Sequence, residues 1–204
     1  MRVFISIDVP GKIKKSLAQL QSILNGELEN ENVRWEKPEK MHLTVLFIGE
    51  LGEEKITGEE IPTEEDSRII TKGELVVELE NVIREEAEGV RPVKPGIAGI
   101  RTFPNNRWPR VIMADVEDPT GAYAELQERL FNKLKTCGFP CSPPKPPHIT
   151  IARVRKGSVD LPAVELQGSY SFEVREISIK ESILRPTGAI HKTISTLVFP
   201  SHFP

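Results

Sequence analysis

The chain has 204 residues, 27 Lys+Arg against 30 Asp+Glu, and 38% hydrophobic residues. That length buries a real core in one domain or in two tightly packed lobes, and the apolar content excludes a chain disordered throughout. No apolar run approaches the ~20 residues that cross a bilayer, Met1–Pro10 lacks the pattern of a signal peptide, and Cys137 and Cys141 are too few for a disulfide scaffold or a zinc site, so a cytoplasmic globular protein without membrane contact is expected.

The net charge of −3 hides a split. Glu50–Val90 holds fourteen acids and four bases, whereas Arg91–Ser158 holds twelve bases and five acids. A mildly acidic chain can therefore still present a basic face, which suits a polyanion or a phosphate ligand.

Val3–Asp8 alternates as a strand. Asp8 and Pro10 read as a helix start, followed by Ile13, Leu17, Leu20 and Leu24 at helical spacing, with Gly26 as the stop. Val33–Trp35 is a short strand, and His42–Ile48 is a β-rich run closed by Gly49. Residues 52–73 read as an acidic loop insertion. Leu75, Leu79, Val82 and Ile83 predict a helix ending near Gly89. Pro92–Thr102 and Arg110–Val116 are strands. Asp118-Pro119 reads as an N-cap with proline in the first turn of a helix carrying Tyr123, Leu126, Leu130 and Leu134 to Gly138. Pro140–Pro147 holds five prolines in eight residues and is a stiff extended connection. His148–Val154 is a strand, and Tyr170–Leu184 and Ala189–Phe199 form a hairpin across Pro186, Thr187 and Gly188.

An internal repeat organises these elements. Arg2–Ile48 and Arg110–Val154 each read as strand, acidic-proline helix start, helix, and His-x-Thr strand. Arg to His spans 40 residues in the first unit and 38 in the second. Agreement in order, type and spacing suggests duplication. The fold expected is α+β: a single bilobal domain over 1–204, with two pseudo-symmetric lobes, each a mostly antiparallel sheet with outer helices. The two His-x-Thr strands would face a central cleft, where lobes commonly bind ligands.

On a strand, residues i and i+2 share a face. His42 and Thr44 therefore point one way with Leu43 and Val45 opposite, and His148 and Thr150 do the same against Ile149 and Ile151. Two imidazoles around one cleft can serve as general base and general acid near neutral pH. Two hydroxyls can donate to the oxygens of one phosphate. A phosphodiester is thus the natural substrate class. No acidic or thiol ligand flanks either motif at metal spacing, and neither a Gly-x-Ser-x-Gly elbow nor a glycine-rich phosphate loop is present.

Several ordered residues carry a family likeness. They are Phe4 with Ile7-Asp8-Val9-Pro10, His42-Leu43-Thr44-Val45 with Phe47-Ile48-Gly49-Glu50, Phe103-Pro104 and Arg110-Val111. Further on come Pro147-His148-Ile149-Thr150-Ile151-Ala152-Arg153 and Ser182 through Gly188-Ala189-Ile190. The chain resembles the two-histidine phosphoesterases, and among them the RNA 2′,3′-cyclic phosphodiesterase family, also known as 2′-5′ RNA ligase-like.

The resemblance implies hydrolysis of a terminal 2′,3′-cyclic phosphate on RNA to a 2′-phosphomonoester, without metal or cofactor. It implies His42 as proton donor and His148 as proton acceptor, with Thr44 and Thr150 holding phosphate oxygens. It implies Arg153 beside the nucleotide, although plain alternation puts Ala152 on the His148 face and Arg153 opposite unless the strand bulges. It also implies RNA with cyclic ends as partner, tRNA fragments included, and a monomer. Two alternatives stay open: 2′-5′ RNA ligation in the same site, and a non-catalytic RNA- or nucleotide-binding module. Trp35 and Trp108 could stack on a base but are expected to pack at a strand and a turn. Lys145 could reach RNA phosphate but is expected to be a solvated loop lysine. His191 is expected to be a surface or edge-strand histidine where relatives often carry an aromatic.

Overall fold

A computed structural model describes residues 1–28, 32–52, 71–162, 170–186 and 188–199. The elements run β1 (Arg2–Asp8), α1 (Gly11–Leu28), β2 (Val33–Trp35), a 3-10 turn (Pro38–Lys40), β3 (His42–Glu50) and α2 (Lys72–Ala87). They continue β4 (Gly96–Phe103), β5 (Val111–Glu117), α3 (Ala122–Thr136), β6 (His148–Val154), β7 (Glu176–Ile183) and β8 (Ile190–Val198). Among the described residues no helix is long and apolar enough to cross a membrane.

The strands form one sheet in the order β4-β5-β6-β3-β1-β7-β8, with β2 alongside β6. Every pairing is antiparallel. The two expected lobes meet at its middle, where β3 and β6 share a single residue pair, Leu43 with Ile149. Past that pair the strands part, and β2 fills the gap by pairing Val33–Trp35 with Ala152–Val154.

One face of the sheet carries the core. Leu43 and Ile149 are fully buried there, in one cluster with Leu17 and Leu24 of α1 and Leu126 and Leu130 of α3. α1 runs through Gly26 to Leu28 instead of stopping at the glycine. Glycine in a helix interior costs ~1 kcal/mol, and burial of Leu24 alone offsets that at roughly 1.5–3 kcal/mol. Leu28, packed on the core, carries the helix on.

Other boundaries also shift. Asp8 does not start α1; it closes β1, and its carboxylate meets Lys180. α3 begins at Ala122, three residues after Pro119, yet Asp118 still caps it, its Oδ2 accepting from the Ala124 N–H at 3.0 Å. β4 starts at Gly96, because the Val93 and Pro95 carbonyls accept instead from Val174 and Phe172 in the stretch that leads into β7. That same pairing keeps Tyr170–Arg175 out of β7. Of the acidic stretch 52–73, residues 53–70 lie outside the described residues. Its end is not loop: Thr71 and Glu74 form a capping box that opens α2.

The two His-x-Thr strands share a further detail. In the β1–β3 register Ile5 faces Leu46 and Ser6 faces Thr44, which leaves Val45 as an extra residue. In the β5–β6 register Met113 faces Thr150 and Ile112 faces Ala152, which leaves Ile151 extra. Each strand therefore bulges one residue after its threonine. The bulges are locked crosswise: Gln21 of α1 donates to the Ile151 carbonyl at 2.8 Å, and Gln127 of α3 donates to the Val45 carbonyl at 2.7 Å. Each buried amide thus serves the histidine strand of the opposite half by donating to a carbonyl at its bulge; the Ile151 carbonyl also accepts from the Glu36 N–H at 2.9 Å.

Candidate active site

With Leu43 and Ile149 turned into the core, His42, Thr44, His148 and Thr150 turn to the other face, where all four are half-buried. The antiparallel register sets His42 toward Thr150 and Thr44 toward His148. The four line one cleft of about 540 Å³.

Both imidazoles are oriented in the same way. Nδ1 of His42 donates to the Lys40 carbonyl at 2.7 Å, and Nδ1 of His148 donates to the Pro146 carbonyl at 2.9 Å. A carbonyl only accepts, so Nδ1 holds the proton and Nε2 of each neutral ring is left as an acceptor. Each anchor lies two residues before its histidine. The 3-10 turn Pro38–Lys40 with extended Met41 before His42, and the prolines before His148, make those carbonyls available.

Burial pulls the His42 pKa down from 6.5 to about 4. The Lys40 carbonyl opposes that shift, the His191 and Lys180 charges add to it, and Asp8 works against it. Lys180 is almost fully buried and ion-paired to Asp8 at 2.6 Å, with the Ser178 hydroxyl 3.4 Å from the other carboxylate oxygen.

Arg153 lines the cleft with the histidines. Strict alternation along β6 would have turned it away; the bulge at Ile151 resets the alternation and brings it to the His148 face. Its Nε donates to Glu36 at 2.9 Å. The matching bulge in β3 brings Phe47 into the cleft, with the Lys145 ammonium 5.4 Å from its ring. Lys145 is an exposed loop lysine, as expected, and its ammonium also lies over an aromatic face.

His191 lies on the edge strand as expected, but it turns inward. Its ring meets Phe4 edge-on at 5.0 Å and His42 at 5.2 Å, 74° to the plane of the latter. Its Nδ1 is buried with no partner among the described residues. Burial, then the nearby Lys40, hold its pKa below the usual value.

The two tryptophans differ. Trp35 packs against the core and donates its indole N–H to Asn25 at 2.7 Å. Trp108 does not pack at its turn: it is 65% exposed.

Six cations line the cleft: Arg2, Arg34, Lys40, Arg153, Arg155 and Arg185. Among the described residues Glu36 is the single acid that lines it, and it is tied to Arg153. Such a surround raises the local concentration of phosphate ligands. Gly188 at the β7–β8 turn adopts φ +113°, and a side chain there would strike the Arg34 guanidinium. Among the described residues no three His, Cys, Asp or Glu side chains converge as metal ligands. Cys137 and Cys141 are free thiols.

All five site residues expected from sequence thus reach one cleft. Sequence reasoning missed the inward turn of His191, the Asp8–Lys180 pair and the crossed glutamines. A signal for the last existed: Leu20-Gln21 and Leu126-Gln127 stand at matching places in the two units, one buried leucine followed by one buried polar residue.

The fold is that of the LigT-like phosphoesterases. Residues 7–60 match the LigT like phosphoesterase family, and residues 37–179 match the 2′-5′ RNA ligase superfamily. The chain belongs to the 2′-5′ RNA ligase superfamily. It is 30% identical over 198 residues to an RNA 2′,3′-cyclic phosphodiesterase of Archaeoglobus fulgidus, covering 95% of this chain and 98% of the relative. It is 28% identical over 197 residues to a protein of the same name from Methanothermobacter thermautotrophicus, covering 94% and 95%. Among solved structures, TT0787 of Thermus thermophilus superposes with a TM-score of 0.73 at 23% identity, over 99% of this chain and all of that one.

Proposed function

We propose that the protein hydrolyses a terminal 2′,3′-cyclic phosphate on RNA to a 2′-phosphomonoester, with His42 and His148 as the acid–base pair and without a metal ion. The observation that carries this reading is the matched anchoring of the two imidazoles. Both Nδ1 atoms are tied to a carbonyl two residues back, and both rings enter one cleft rich in cations. The names of the relatives support the substrate class.

On this reading the cyclic phosphate sits between the rings. Nε2 of neutral His148 takes a proton from water as the water oxygen bonds to phosphorus. The P–O3′ bond breaks in line, and protonated His42 gives its proton to the departing O3′. The Thr44 and Thr150 hydroxyls donate to the non-bridging oxygens, and Arg153 lies by the nucleotide. His42 must be charged for this role, yet its pKa in the free protein is about 4. An anion within hydrogen-bond reach raises a neighbouring pKa by roughly 1–3 units. The substrate itself therefore brings its acid into the working range.

The same reading takes the chain as one duplicated domain, acting as a monomer in the cytoplasm on RNA ends such as those of tRNA fragments. The test is incubation with an RNA bearing a 2′,3′-cyclic phosphate in the presence of a chelator. The expected product ends in a 2′-phosphate at an undiminished rate. Unchanged cyclic ends, or activity abolished by the chelator, contradict the proposal. A ligated product dominating at low RNA concentration would instead assign the reverse reaction, with a 5′-hydroxyl in place of water.

A further inference from the structure

The face that carries the histidines continues past the cleft. The register leads from Arg153 of β6 across to Val111 of β5 and on to Phe103 of β4, so these three side chains stand in one row on that face. Phe103 is 51% exposed, and Trp108 on the following turn is 65% exposed. The turn is held in shape: the Arg110 N–H donates to the Phe103 carbonyl at 2.7 Å, and the Trp108 N–H donates to the Asn105 side-chain oxygen at 2.9 Å. The Arg107 guanidinium lies over the Trp108 ring, 5.8 Å from its centre.

The other half of the sheet does not offer this. There the matching face presents Phe4, Ser6, Ser178 and Lys180, all buried. Exposed aromatics beside the cleft therefore lie on the Arg153 side. Phe103 stands two strand spacings from Arg153, about 10 Å. Neither Arg107 nor Arg155, which lines the same end of the cleft, has a carboxylate partner among the described residues. Two exposed aromatic side chains with guanidiniums nearby that have no carboxylate partner among the described residues match the chemistry of single-stranded nucleic acid: stacking surfaces for bases and cations for the backbone.

We propose that Phe103 and Trp108, with Arg107 and Arg155, form a track for the nucleotides directly upstream of the cyclic end. The protein then selects single-stranded RNA ends over cyclic mononucleotides. This rests on the hydrolase reading above and adds a substrate requirement to it. Stacking is sequence-tolerant because every base has a π-face, so the track confers preference for length rather than for sequence.

The experiment compares kcat/KM on 2′,3′-cyclic AMP and on a short oligoribonucleotide with a 2′,3′-cyclic end. The wild type is expected to favour the oligonucleotide. Trp108→Ala and Phe103→Ser should each lose about 10-fold on the oligonucleotide, the scale of one lost base stack, and nothing on cyclic AMP. Trp108→Phe should restore most of the loss. Variants equal to wild type on both substrates overturn the track and leave the hydrolase intact, and so assign the exposed aromatics to some other partner. If the wild type turns over neither substrate, the hydrolase reading falls, and fluorescence decides the track alone. Quenching of tryptophan emission by the oligonucleotide that disappears in Trp108→Phe supports the track; emission unchanged by the oligonucleotide overturns it.

Discussion

His42 is held neutral in the free protein by its burial, and this has consequences at two levels. The first is catalytic. kcat/KM reports free-enzyme pKa values and kcat those of the complex. The limb belonging to His42 should therefore lie near 4 in the kcat/KM profile and move upward in the kcat profile. Identical limbs in both profiles would contradict substrate-induced charging. The second is stability. A histidine with its folded pKa depressed from 6.5 to about 4 contributes fully above pH 6.5, and that contribution is lost as the pH falls toward 4. The span amounts to roughly 3 kcal/mol. Denaturant titrations at a series of pH values should show His42→Asn losing less stability than wild type across that window.

Lys180 belongs to the same residue-scale account. Its charge lowers the His42 pKa, and Asp8 raises it. Lys180→Met removes the first and leaves the second, so the His42 titration followed by NMR should shift upward; an unmoved titration would refute the coupling. None of this was legible in the sequence. Asp8 beside Pro10 looks like a helix cap, because local patterns carry no information about a lysine 172 residues away. The His-x-Thr motifs were legible because their chemistry and their facing are both local properties of a strand. His191 was half legible: its edge strand follows from position, but its turn toward Phe4 and His42 depends on tertiary contact.

At the scale of elements, the bulges decide which side chains reach the cleft. Period-2 alternation placed four site residues correctly and would have misplaced Arg153, since a bulge leaves no mark in residue types. The crossed glutamines hold the device together. Gln21→Met removes donors to the Ile151 and Glu36 carbonyls at once. The part-buried Glu36 carbonyl then loses this donor, which costs about 1–3 kcal/mol, while the Ile151 carbonyl keeps the Glu36 N–H. The variant should unfold at lower denaturant and show a raised KM as Arg153 loses its place, with a smaller change in kcat. A KM equal to wild type would separate the bulge from substrate binding. The helix ends were misread for a similar reason. Gly26 and Pro119 are true local signals: the first is overruled by burial of Leu24, and after the second a left-handed Gly121 delays α3 to Ala122 while Asp118 still caps it.

At the scale of the molecule, one sheet is hinged on a single residue pair, with helices filling one face and the cleft opening on the other. The sequence showed two matched units and their antiparallel strands. It could not show that they share one continuous sheet, because the Leu43–Ile149 pairing is a contact between units. The charge split was legible as a count, but the basic cleft was not: of the six cations that line it among the described residues only Arg153 and Arg155 come from the basic stretch Arg91–Ser158, and the fold gathers Arg2, Arg34, Lys40 and Arg185 from elsewhere in a chain whose net charge is −3. RNA affinity should therefore fall steeply with salt, log K decreasing by about 0.7 per log unit of salt for each phosphate contacted. Salt-independent binding would mean that the basic cleft does not hold the backbone.

The central claim is that two imidazoles act from opposite sides of one phosphate. It is tested most directly by turnover of a 2′,3′-cyclic-phosphate RNA by wild type, His42→Ala, His148→Ala and the double variant. Each single substitution should cost ~10²-fold or more, and the double should be little worse than either single, as befits groups that act as a unit. Either single variant turning over at nearly the wild-type rate would contradict the account.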